Sequence, residues 1–97
     1  MTTKTEKELT EQLKTAMRSR DKVALAAIRM VRTKIMERRT AKNATELTEE
    51  VVVGIIRSYV KSLQSALADF RKAGTPDSDE NVAQMLAEVE LLGRYLP

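Results

Sequence analysis

The stretch from Asp21 to Arg39, DKVALAAIRMVRTKIMERR, restricts the fold more than any other part of the chain. Ala24, Ala27, Ile28, Val31 and Ile35 recur at the three- and four-residue steps of an amphipathic helix. Leu25 and Met36 widen that stripe on one flank, and Val23 and Met30 widen it on the other, so more than half of the cylinder is expected to be apolar. A helix of that kind needs several neighbours to cover it. Lys22, Arg29, Arg32, Lys34, Arg38 and Arg39 stand between the apolar positions. The element expected to organise the packing therefore also carries the densest positive charge.

The rest of the chain supplies partners for this helix. Thr5 with Glu8 three residues on matches a capping box, and Leu9, Leu13, Ala16 and Met17 then form a narrow apolar seam, which predicts a first helix over about 6–19. Asp21 is the natural N-cap of the central helix, expected over 22–39, and the short link makes the two antiparallel. Residues 40–46 are polar and aperiodic and are expected to form a loop. Thr48 as N-cap, Glu49 and Glu50 in the first turn, and Leu47 stapled onto Val52 open a third helix over 49–73. Its apolar series runs from Val52 through Ile56, Val60 and Leu63 to Phe70, and Gly54 inside it suggests a close approach by another helix. Gly74 and Pro76 stop that helix. Ser78 is expected to cap a fourth over 79–94, with Val82, Met85, Leu86, Val89 and Leu92 as its seam. The expectation is an all-α, up-and-down four-helix bundle in a single domain spanning 1–97.

Composition excludes several functions. The 97 residues contain no Cys and no His, so a disulfide framework, a zinc or iron site with nitrogen or sulfur ligands, and a histidine general base are all ruled out. Gly54, Gly74 and Gly93 are isolated and lack the spacing that cradles phosphates. Ser58 and Lys61 would share a helix face, which is ordinary content for a solvated surface. Asp77, Asp79 and Glu80 are better read as a helix start than as a calcium loop. No cofactor, no metal and no membrane span are expected, no catalytic residue is assigned, and the cytoplasm is the default location.

Charge is the remaining signal. Residues 1–42 hold 12 Lys or Arg against 5 Asp or Glu, whereas residues 43–97 hold 5 against 9. Arg18, Arg20, Lys22, Arg29 and Arg32, with Arg38, Arg39 and Lys42 at the far end of the central helix, form a candidate face for the phosphates of a nucleic acid. The same residues also fit a solvated surface in which Asp21 and Glu37 supply local ion pairs. A third reading is a protein-interaction surface, since Arg29 and Arg32 are interleaved with Leu25 and Met36, and a homodimer is one form it could take.

Leu9, Leu13, Lys14, Ala16 and Met17, then Arg20-Asp21-Lys22, Leu25 and Ile28-Arg29-Met30-Val31, resemble the opening of the GatB/YqeY family. Leu47-Thr48-Glu49-Glu50, Phe70 with Ala73-Gly74, and Glu88 with Tyr95-Leu96-Pro97 fit the same family. The chain departs from the pattern at Leu63 and Ala66, where the family usually has an arginine and a serine, and at Thr75 and Met85. No family role is carried over to those positions. The resemblance implies an N-terminal helical bundle followed by a smaller domain similar to the tail of the tRNA-dependent amidotransferase B subunit. That enzyme is a carbon–nitrogen ligase that amidates misacylated tRNA with glutamine as nitrogen donor, and its tail is the part associated with tRNA. By this resemblance the chain is the N-terminal domain alone, non-catalytic in itself, with tRNA and amidotransferase subunits as expected partners.

Overall fold

In the computed structural model, which describes residues 2–41 and 46–97, the periodic stretches form four helices. These are α1 (Lys4–Ser19), α2 (Lys22–Thr40), α3 (Glu49–Lys72) and α4 (Glu80–Gly93), and the described residues include no strand. Helix ends follow the side chains able to satisfy the free backbone N–H groups of a first turn. Asp21 accepts from the Ala24 N–H at 3.1 Å and Thr48 from the Val51 N–H at 3.2 Å, as their positions ahead of apolar runs predict.

Two caps differ from expectation. The first helix is capped by Thr3, not Thr5: Thr3 Oγ1 accepts from the Glu6 N–H at 3.2 Å, and the Glu6 carboxylate accepts from the Thr3 N–H at 2.8 Å. Thr5 lies buried inside the first turn with its hydroxyl committed to Glu49. The fourth helix is capped by Asp79, not Ser78. A turn after Pro76, closed by the Asp79 N–H on the Pro76 carbonyl at 3.0 Å, brings the Asp79 carboxylate onto the N–H groups of Asn81 and Val82.

The link from α1 to α2 turns on Arg20, which sits in the left-handed region at φ 56° and is the one non-glycine at positive φ among the described residues. The Asp21 N–H closes the turn on the Ala16 carbonyl at 3.0 Å. After α3, Gly74 takes the corresponding position at φ 80°, where a residue without Cβ is unstrained.

Packing centres on α2 and α3, each of which touches all three other helices. Ile28 and Val31 have no exposed surface and Ile35 only 4%. Leu9 of α1, Val52 and Ile56 of α3 and Leu92 of α4 join them in one cluster. Each such side chain contributes about 1.5–3 kcal/mol through its removal from water. The apolar stripe on α2 is narrower than expected, because Met30 and Met36 are exposed. Met17 is also exposed: it lies roughly 80° around α1 from Leu9, at the edge of the seam. Gly54 is not a close-approach point either, since a Cβ added there would meet nothing within 4 Å.

Candidate functional site

The cations of the basic half divide by helical register. At about 100° per residue, Arg32 and Arg39 fall on the flank of α2 that faces α1, Lys34 and Arg38 fall on the flank that faces α3, and Lys22 and Arg29 fall on the outer side, away from the buried stripe. Arg32 and Arg39 accordingly share a cleft with Met36 of α2 and Glu6, Leu9 and Thr10 of α1, and Lys34 and Arg38 line a separate groove against α3. Arg18 ends α1, while Arg20 and Lys22 flank the Asp21 cap at the tip of the α1–α2 turn. Lys42 lies outside the described residues. The structure therefore sets Arg32 and Arg39 beside α1, Lys22 and Arg29 on the outer side of α2 with Arg18 and Arg20 near its start, and Arg38 apart against α3.

All seven described cations of this set are exposed, and their pairing is uneven. Arg39 donates to the Glu6 carboxylate at 2.7 Å, joining the last turn of α2 to the first turn of α1. Burial pushes the Glu6 carboxyl up, but hydrogen bonds from Thr3 and Arg39 outweigh it and hold the group below its ordinary value of 4.5. Among the described residues, Arg18, Arg20, Lys22, Arg29 and Arg32 form no ion pair. The Asp21 carboxylate accepts the α2 cap hydrogen bond, and among the described residues neither Asp21 nor Glu37 forms an ion pair.

Two polar contacts between helices had no signature in the sequence pattern. Tyr59, within the apolar run of α3, donates its hydroxyl to the Glu88 carboxylate at 3.1 Å. Glu88 is 6% exposed, and burial together with that neighbouring carboxylate pushes the Tyr59 phenol up to about 12. Tyr95, beyond α4, donates its hydroxyl to Gln12 of α1 and so holds the end of the chain against the first helix. Ser58 faces the α2–α3 groove rather than forming a site with Lys61.

Among the described residues no three carboxylates gather as a metal cage would require, and no helix is long and apolar enough to cross a membrane. The chemistry open to the basic flank is ionic: guanidinium and ammonium groups presented to water on a rigid helix, without aromatic rings for base stacking. Compared with known families, residues 6–97 match the family model described as Yqey-like protein. No curated protein and no solved structure matches the chain.

Proposed function

The chain belongs to the YqeY-like family, and from that premise we propose that it is a non-catalytic, cytoplasmic helical domain that contacts tRNA through the α1–α2 flank. Its role is accessory to tRNA-dependent amidation or another tRNA-linked process. The observation that carries this reading is the set Arg18, Arg20, Lys22, Arg29 and Arg32, in no ion pair among the described residues and exposed along the α1–α2 turn and the solvent side of α2. Cations without carboxylate partners retain their full attraction for phosphates, and fixing them on a helix lowers the ordering cost of each contact. Arg20 adds support. An arginine in left-handed backbone costs about 1 kcal/mol where glycine would be unstrained, a cost borne where its charge is presented.

The same reading takes residues 1–97 as one unit with the helices running up and down. The Glu6–Arg39 pair, which sets the start of α1 beside the end of α2, supports that arrangement, as does the short turn joining α3 to α4. Exposed Met36 between Arg32 and Arg39 favours a second reading, docking of a protein partner such as an amidotransferase subunit on this flank. A homodimer through the flank is disfavoured by self-repulsion of its cations. The deciding experiment is binding of bulk tRNA by wild type and by Arg29→Glu/Arg32→Glu, with circular dichroism as the check on folding. Affinity falling at least about tenfold with unchanged helicity supports RNA contact; equal affinity overturns it.

A further inference from the structure

The groove between α2 and α3 is built from two facing rows. Lys34 and Arg38, one turn apart on α2, form a cationic wall, and Gly54, Ser58 and Ser62, at four-residue steps on α3, face it. The groove is shallow and open to solvent, with about 610 Å³ of space above its lining residues. No carboxylate lines it, and among the described residues neither Lys34 nor Arg38 is in an ion pair. The Lys34 ammonium stands 5.6 Å from the centroid of the Tyr59 ring, whose hydroxyl is turned away onto buried Glu88. The ring is thereby held in place from α4. The Ser58 hydroxyl makes no hydrogen bond among the described residues, while that of Ser62 donates to the Tyr59 carbonyl at 2.8 Å. At Gly54 the space a side chain would occupy is open, leaving a floor flanked by Val51 and Ile55.

We propose that this groove binds a small phosphorylated ligand, its phosphoryl group held by Lys34, Arg38 and the Ser58 hydroxyl and its remainder lying along Val51 and Ile55. A guanidinium, an ammonium and an uncommitted hydroxyl around an acid-free space suit a compact dianion, for which charge-assisted hydrogen bonds are strong. The site lies on the opposite flank of α2 from Arg29 and Arg32 and does not rest on the tRNA reading.

The test is titration of the 97-residue chain with inorganic pyrophosphate and, separately, with adenosine monophosphate, followed by backbone amide shifts. Saturable shifts centred on Lys34, Gly54 and Ser58 are expected. Saturation by both probes marks the phosphoryl group as the determinant whatever carries it, and saturation by one assigns a free or a nucleotide-borne phosphate. Gly54→Leu fills the floor without altering charge and weakens binding at least about tenfold, as does Lys34→Met/Arg38→Met, whereas Arg29→Gln/Arg32→Gln leaves it unchanged. The methionine double variant keeps the test decisive if the leucine variant misfolds. Non-saturating shifts spread over all basic residues overturn the proposal. So does wild-type affinity in either groove variant.

Discussion

Thr5 on α1 donates both its backbone N–H, at 2.9 Å, and its hydroxyl to the carboxylate of Glu49 on α3, 44 positions away in sequence. This pair ties the starts of two helices together across the end of the bundle. The Thr5 hydroxyl and N–H hold the Glu49 carboxyl below its ordinary value of 4.5, against a smaller opposing effect of burial. Thr5→Val keeps the shape and removes the hydroxyl, and urea unfolding is expected to report a loss of about 1 kcal/mol. Because the folded-state value is lowered, the stabilisation is present above about pH 4.5 and fades as the pH falls through the lowered value. The valine variant is therefore expected to lose less stability than wild type on acidification.

Tyr59 and Glu88 give a prediction of opposite sign. The phenol is raised from 10.0 to about 12, so the native state gains nothing from its ionisation between those values while the unfolded chain does. Stability is complete below pH 10 and declines as the pH rises toward about 12, and absorbance at 295 nm is expected to show the late titration. Tyr59→Phe leaves Glu88 buried without its donor and costs about 1–3 kcal/mol; adding Glu88→Leu recovers most of it.

Gly54 lies inside α3 with open space where a Cβ would stand. Gly54→Ala is expected to stabilise the chain by about 0.5–1 kcal/mol through lower backbone entropy in the unfolded state. A higher thermal midpoint checks it. A lower one would mean that the helices approach more closely than this structure has them.

At the α1–α2 turn, Arg20→Gly relieves the left-handed strain and is expected to raise stability by up to about 1 kcal/mol. On the proposed function, the same change lowers tRNA affinity by removing one cation. Thermal unfolding and tRNA titration of one protein sample check both halves together.

The fold was legible where local chemistry decides it. Ile28, Val31 and Ile35 could be assigned to the core from spacing alone, and Asp21 and Thr48 could be assigned as caps because each directly precedes an apolar period. The first cap was ambiguous for a physical reason: Thr3–Glu6 and Thr5–Glu8 are both matched boxes, and only the distant Glu49 decides between them by claiming Thr5. Ser78 and Asp79 are likewise adjacent acceptors, and the turn after Pro76 selects the second. Glu88 could not be found from pattern, since a carboxylate in the fourth helix is buried only because Tyr59 arrives from the third.

The basic set was legible as composition and only partly as geometry. Helical register separates Arg38 from Arg39, a distinction that residue counts along the chain blur but that 100° steps recover. The facing row of Gly54, Ser58 and Ser62 left a trace as small and polar positions four apart in an otherwise apolar helix. Its pairing with Lys34 and Arg38 needed the packing of α2 on α3.

The central claim, that unpaired cations on the α1–α2 flank meet RNA phosphates, is tested most directly by the salt dependence of tRNA binding. Each phosphate neutralised adds about 0.7–0.9 to the negative slope of log affinity against log salt. The account predicts a measurable slope for wild type and one shallower by about 1.4–1.8 for Arg29→Gln/Arg32→Gln. An identical slope and affinity in the two proteins would contradict it.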